Sequence, residues 1–192
     1  MSPLREQFGD IDIYLFDQLL RGRIRQTDRI LDAGCGNGRN LVYFLREGYE
    51  IFAVDCENRS IPNLPADHFR AEPLEAMSFP DSSFDVVIAS AVLHFAKSDE
   101  HFLAMAHGVW RVLKPGGMLF CRLASSIGIE TKIQPVGEGR YRLPDGSERY
   151  LVDETTLMNL TEQLGGQLLD PLKTTVVQNQ RSMTTWVVRK NG

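Results

Sequence analysis

The chain has 192 residues, 43% of them apolar and 24% charged, which is the length and balance of one soluble globular domain and excludes disordered, collagen-like and coiled-coil chains. Its formal net charge of −4 argues against a surface that tracks nucleic-acid phosphates. The longest apolar run, Val86 to Leu93, has eight residues and includes Ser90, against the roughly 20 that a membrane helix needs.

The start, Met1-Ser2-Pro3-Leu4-Arg5-Glu6, has no apolar signal core, so a cytoplasmic chain is expected. Three cysteines without close spacing, Cys35, Cys56 and Cys121, fit reduced thiols better than a disulfide frame. In chain order, Ile11, Tyr14, Leu15, Gln18 and Leu19 follow helical spacing up to Gly22. Arg29 to Ala33 reads as a buried strand. Leu41, Val42, Phe44 and Leu45 then return to helical spacing, with Gly48 as a stop. Glu50 to Asp55 is a second strand, and a weaker third lies near Asp67 to Ala71. Phe84 to Ser90 is apolar apart from Asp85 and the closing Ser90, and continuous rather than alternating, as expected of a strand covered on both faces. Ser98 caps a helix that runs to Val112 or Leu113; Lys114-Pro115-Gly116-Gly117 breaks it before a strand from Met118 to Leu123. Asp153 caps a helix carrying Leu157, Leu160 and Leu164, and Gln167–Val177 and Met183–Arg189 read as two closing strands.

Strands alternating with helices predict an α/β, Rossmann-like doubly wound sheet with an antiparallel C-terminal edge. Residues 125–151 interrupt that rhythm. There, Arg140–Leu143 and Glu148–Leu151 flank Pro144-Asp145-Gly146, which predicts a hairpin insertion within a single domain over 1–192 and the role of a lid. The insertion carries four basic residues (Lys132, Arg140, Arg142, Arg149) and four acidic ones (Glu130, Glu138, Asp145, Glu148), so it forms no polybasic surface.

The chemistry concentrates between the first strand and the next helix, in Asp32-Ala33-Gly34-Cys35-Gly36-Asn37-Gly38-Arg39-Asn40. Glycines there let the backbone approach a ligand closely, and the following helix offers free N–H groups to an anion. A dinucleotide fingerprint needs a third glycine where Arg39 stands, so a nicotinamide enzyme is disfavoured. Asp55, at the end of the second strand, is placed to accept both hydroxyls of a ribose.

The pattern Asp32-x-Gly34-x-Gly36-x-Gly38 resembles motif I of class I S-adenosylmethionine-dependent methyltransferases, of the type 11-like group. The resemblance continues through Phe79-Pro80-Asp81-Ser82-Ser83-Phe84-Asp85, Leu93-His94 and Arg111-Val112-Leu113-Lys114-Pro115-Gly116-Gly117. Gly36 to Asn40 and the short length also resemble the small bacterial tellurite-resistance methyltransferases. It implies a seven-stranded, mostly parallel sheet and S-adenosylmethionine as cofactor, leaving S-adenosylhomocysteine as product. It implies cofactor contacts from Asp32, Ala33, Gly34, Gly36, Asp55, Cys56, Leu74, Glu75, Ala89 and Ser90, with Tyr14 covering the site. The family often has an Asp where this chain has Pro73, so adenine recognition falls to the Leu74 backbone N–H, with Glu72 or Glu75 as substitute acids.

Direct displacement at a sulfonium methyl needs alignment and dryness more than a rich set of catalytic groups. His94 is the candidate base or positioning group, and Arg140, Tyr141 and Arg149 are candidates for holding a small-molecule acceptor. His101 and His107, six apart, do not make a helical metal pair, and no metal site is read. The expected partner is a small methyl acceptor, without nucleic acid or membrane. Competing readings are a binding protein without methyl transfer and a protein methyltransferase. Sequence is silent on oligomeric state.

Overall fold

The computed structural model describes residues 3–192; Met1 and Ser2, with which the reading of the N-terminus begins, lie outside the described residues. Two helices, α1 (Pro3–Phe8) and α2 (Ile13–Leu20), precede β1 (Arg29–Ala33), α3 (Val42–Arg46), β2 (Glu50–Asp55), β3 (Phe69–Ala71) and β4 (Phe84–Ser90). Then come α4 (Asp99–Val112), β5 (Leu113–Ala124), β6 (Gln134–Gly137), β7 (Arg140–Arg142), β8 (Glu148–Tyr150), α5 (Glu154–Gln163), β9 (Gly166–Leu168), β10 (Lys173–Val177) and β11 (Arg181–Lys190).

The main sheet has the order β10-β11-β5-β4-β1-β2-β3, with β9 paired to β11 beside β10. β3, β2, β1, β4 and β5 pair in parallel. β11 runs antiparallel to β5 and to β10. The predicted doubly wound sheet with an antiparallel C-terminal portion is therefore present, and the strand order reverses between β1 and β4, where open α/β sheets bind ligands.

The continuous apolar run of β4 follows from burial on both faces. Val87 and Ala89 pack with Leu31, Phe102, Val109, Leu157 and Trp186 on the side of α4 and α5. Val86 and Ile88 pack with Ile30, Leu15, Phe44 and Phe120 on the side of α2 and α3. The helix ends follow their local chemistry: the Ser98 side chain accepts from the His101 N–H, Asp153 accepts from the Thr156 N–H, and Asp12 accepts from the Tyr14 N–H.

Three elements depart from the sequence reading. The Lys114–Gly117 segment does not separate helix from strand, because β5 begins at Leu113 and passes through it, with the β4–β5 register shifting between Phe84 and Val86. Proline and glycine are tolerated there because the segment is the irregular start of the strand. The stretch 167–177 is two strands, broken at Asp170-Pro171. Asp170 turns toward α2 there, accepting from Arg23 at 2.7 Å and Gln18 at 3.1 Å. Finally, the insertion is a three-stranded antiparallel sheet, β6-β7-β8, rather than a hairpin alone.

Candidate cofactor site

The end of β1 and the loop after it are held by the neighbouring strand. Gly34 and Cys35 both donate their N–H to the Val54 carbonyl, at 2.8 and 3.1 Å. Gly34 has φ +76°, and a Cβ there would collide with Val92. Gly36 has φ +53° and opens onto empty space, with nothing within 4 Å of where its Cβ would stand. A side chain is thus barred at the first position by packing and at the second by the left-handed backbone. Gly36 donates its N–H to Asp55 Oδ2 at 2.9 Å, while Glu57 donates to Oδ1 at 3.1 Å. Asp55 therefore shapes the glycine loop; Oδ1 also takes the Cys56 thiol and lies 3.7 Å from Arg59 Nε, whereas Oδ2 retains a lone pair for a further donor.

Asp32 is the unusual group. It is buried, and its Oδ2 has no hydrogen-bond partner among the described residues. Burial raises its pKa to about 7, against the pull of Arg39 and with a smaller push from Asp55. An orphaned buried carboxylate is costly unless a donor arrives. Ala33 and Ala89 are fully buried on the opposite, α4-side face of the sheet, and Ser90 is buried at the end of β4.

Ser90 belongs to a polar cluster that the sequence reading missed. Arg39 donates to Ser90 Oγ at 3.0 Å, and Ser90 Oγ–H lies 3.4 Å from Asp12 Oδ2. Arg122 donates to Asp12 Oδ2 at 3.0 Å, and Asn40 Oδ1 accepts the Asp12 N–H at 3.0 Å. The signals in sequence were faint: Asp12 reads as a helix cap, Arg39 only as the residue displacing a glycine, and Arg122 as one charge in an apolar strand. Tyr14 roofs this cluster, its ring centroid 5.4 Å from Arg122 Cζ and its hydroxyl 2.8 Å from Thr175 Oγ1.

At the opposite rim, Cys56 is exposed, with Sγ 3.8 Å from Asp55 Oδ1. Leu74 is buried, its carbonyl packed against Gly108 of α4. Of the two substitute acids, Glu72 is tied to its own loop at the surface: it accepts from Ser78 N at 2.7 Å and Ser78 Oγ at 2.6 Å. Glu75 faces His101 Nε2 at 3.2 Å. Glu72 is therefore committed locally, whereas Glu75 stays at the rim.

His94 is buried beyond β4, and its Nδ1 accepts the Ala124 N–H at 3.2 Å. That bond assigns the proton of the neutral ring to Nε2. Burial, and then nearby Arg149, depress its pKa to about 4. His94 is thus a neutral donor at physiological pH, which does not suit the role of base. The Arg149 guanidinium lies 4.9 Å from the Phe95 ring centroid, and the His94 and Phe95 rings are 4.7 Å apart. Arg140 instead pairs with Glu148 at 3.2 Å, and Arg142 pairs with the same carboxylate at 2.8 Å. Tyr141 packs on the apolar cluster of Ala124, Leu143 and Leu151. Of the three acceptor candidates, only Arg149 is brought to His94.

Residues 31–121 match a family model described as a methyltransferase domain. Over 134 residues the chain is 31% identical to 27-O-demethylrifamycin SV methyltransferase of Amycolatopsis mediterranei, covering 60% of this chain and 48% of that protein. Over 130 residues it is 28% identical to malonyl-[acyl-carrier protein] O-methyltransferase of Enterobacter lignolyticus, covering 65% and 51%. The chain spans about half the length of these curated relatives. Its fold is that of Burkholderia thailandensis 1,6-didemethyltoxoflavin-N1-methyltransferase, solved with its 1,6-didemethyltoxoflavin and S-adenosylhomocysteine, at a TM-score of 0.71 and 19% identity, over 96% of this chain and 80% of that one. The orphaned Asp32 oxygen, the open face of Gly36 and the spare lone pair of Asp55 Oδ2 fit an ammonium, a close main-chain approach and a ribose hydroxyl of S-adenosylmethionine. The match over residues 31–121, the relatives and the fold agree in what this chain resembles: methyltransferases, one of them solved with S-adenosylhomocysteine.

Proposed function

We propose that this chain catalyses S-adenosylmethionine-dependent methyl transfer to a small-molecule acceptor by direct displacement. The observation that carries the reading is Asp32 Oδ2, a buried carboxylate oxygen without a donor, beside the open face of Gly36. Asp32 would take the methionine ammonium, the 34–36 backbone would lie against the methionine chain, and Asp55 would accept the ribose hydroxyls. Leu74, Cys56 and Glu75 would line the adenine, with Ala89 and Ser90 beneath the sulfur. Bound there, the cofactor supplies an electrophilic methyl: the acceptor's lone pair forms the new bond while the carbon–sulfur pair stays with sulfur, giving S-adenosylhomocysteine.

The chain's own groups supply alignment and dryness rather than proton transfer. His94 donates from Nε2 to an acceptor oxygen or nitrogen, and Arg149 and Phe95 offer a cation and an aromatic face to a planar or anionic acceptor. We read the 125–151 insertion, packed onto the His94 turn, as the wall or lid of the acceptor pocket within one domain. No helix among the described residues is long and apolar enough to cross a membrane. The three cysteines are free thiols, in keeping with a cytoplasmic setting.

The test is calorimetric titration with S-adenosylmethionine, S-adenosylhomocysteine and NADH in parallel, followed by a screen of small acceptors for S-adenosylhomocysteine release. Binding of the two sulfur ligands with turnover of an acceptor is expected. Binding without turnover of any acceptor would favour a cofactor-binding protein, and binding of NADH alone would overturn the reading.

A further inference from the structure

At the amino edge of the main sheet, opposite the cofactor half, the protein has a cavity of about 310 Å³. Three segments distant in sequence enclose it: the loop between α2 and β1, the irregular start of β5 at Pro115–Met118, and Arg189 near the end of β11. The start of β4, at Asp85 and Val86, lines it as well. Ser90, at the far end of that strand, is roughly 17 Å away at the rise of an extended chain. At Gly22 and Gly116 nothing stands within 4 Å of where a Cβ would be, so two walls are bare main chain that a ligand can approach closely.

The charges around this cavity do not cancel. Asp85 is neutralised: Lys114 donates to both of its oxygens, at 2.9 and 2.8 Å, and the Arg29 N–H donates to it at 2.9 Å. Arg23 is likewise paired, with Asp170 at 2.7 Å. Arg25 and Arg189 differ. Both are exposed, and neither guanidinium has a hydrogen-bond, ion-pair or ring partner among the described residues. Against these two cations stands one carboxylate. Asp28 Oδ2 accepts the Arg25 main-chain N–H at 2.7 Å, and its Oδ1 has no donor. A single unpaired arginine on a surface is ordinary. Two of them, from opposite ends of the chain, facing one cavity with a half-used carboxylate make a polar site with an excess of positive charge.

We infer that this cavity is a second binding site, for a phosphate monoester with a small hydroxylated body, held by Arg25 and Arg189. The inference stands apart from the cofactor reading. A phosphate group carries about −1.5 to −2 charge near neutral pH and has three terminal oxygens, so it can serve two guanidinium forks, whereas a carboxylate is filled by one. Asp28 Oδ1 repels a bare anion but accepts from a hydroxyl, which suits an ester with hydroxyls beside the phosphate. No aromatic side chain lines the cavity, so a nucleobase finds no stacking face there. The volume is at the small end for ligand sites, as a body of few carbons requires.

The test is calorimetric titration of the full chain with glycerol 3-phosphate, inorganic phosphate and glycerol, repeated on Arg25→Gln, Arg189→Gln and Arg46→Gln. Arg46 is the control, an exposed arginine at the end of α3 and outside the cavity. Saturable one-site binding of glycerol 3-phosphate is expected, tighter than that of inorganic phosphate by about threefold or more, with no binding of glycerol. Arg25→Gln and Arg189→Gln should each weaken it by about tenfold or more, the worth of charged hydrogen bonds. Arg46→Gln should change it by less than about twofold. All three substituted side chains are exposed and unpaired, so the variants should keep the wild-type unfolding midpoint. Lack of saturable binding to the wild type would overturn the site. Equal weakening by all three substitutions would overturn it too, since it would show diffuse attraction to net charge. Inorganic phosphate bound as tightly as its glycerol ester would overturn the hydroxylated ligand.

Discussion

The two halves of the sheet's carboxyl edge are built differently. The half over β1 and β2 is made of backbone groups and two carboxylates, fixed by main-chain bonds such as Gly34 N–H to Val54 and Gly36 N–H to Asp55. The half over β4 and β5 is made of side chains, His94, Phe95 and Arg149, set by a small sheet inserted between β5 and α5. The first has unsatisfied charge waiting for a ligand; in the second the charges of Arg140, Arg142 and Glu148 already satisfy one another. A site of the first kind suits one ligand of fixed chemistry. On the function proposed above, the second is where an acceptor would be read, and changes to a few side chains there would change it, as one scaffold comes to serve many substrates.

The largest effect should come from the backbone-built half. Asp55→Ala leaves two ribose hydroxyls and the Gly36 and Glu57 N–H groups without their acceptor, and S-adenosylhomocysteine affinity should fall by about a hundredfold or more. Calorimetry reads this directly, and an unchanged affinity would mean that the ribose lies elsewhere. Next comes a pH effect. Asp32 ionises near 7 in the folded chain against an ordinary value of 3.8. Between those values the unfolded chain has already released a proton that the folded chain keeps, so stability of the free protein should fall as pH rises from about 4 to 7, then level off. An arriving ammonium demands the ionised form, so cofactor affinity should rise toward pH 7 by up to about tenfold per pH unit, with proton release on binding. Titrations in two buffers of different ionisation heat would detect that proton, and Asp32→Asn should abolish its release.

A smaller effect separates the acceptor residues. Arg149→Ala should raise the acceptor's KM by several-fold to about tenfold while leaving cofactor affinity alone. Arg140→Ala should change either by less than about threefold, because a surface pair is worth 0–1 kcal/mol. Equal effects of the two would break the distinction between a residue that faces the site and one that faces its own strand neighbour.

How much of this was legible in the sequence follows the same division. β1, β2 and β4 matched their sequence boundaries because buried parallel strands are short apolar runs with sharp ends. The glycine loop and Asp55 were legible because their spacing is fixed by chain geometry, not by tertiary partners. β6 was not: Gln134-Pro135-Val136-Gly137 is fully exposed, with a proline and a glycine that local propensity assigns to a loop, and it is a strand only because β7 lies beside it. The break at Asp170-Pro171 was hidden because its cause is 150 residues away in Gln18 and Arg23. Arg39, Asp12 and Arg122 were missed for the same reason, since they converge from three distant segments and none carries a motif alone.

The last prediction is the smallest and bears on what drives catalysis. Were His94 a general base, its ionisation would appear in the pH dependence of methyl transfer. In the structure Nδ1 is occupied by the Ala124 N–H, burial holds the ring neutral down to about pH 4, and Arg149 opposes its protonation further. The rate under saturating cofactor and acceptor should therefore carry no limb assignable to His94 between about pH 5 and 9. His94→Gln, whose amide can still donate, should cost less than about tenfold, and His94→Ala more, because only the latter removes the donor and leaves the Ala124 N–H unpaired. A limb near neutrality that vanishes in His94→Gln would show proton transfer through this ring. It would also show that the His94 environment changes when the site is filled, and would make the acceptor half as chemically committed as the cofactor half.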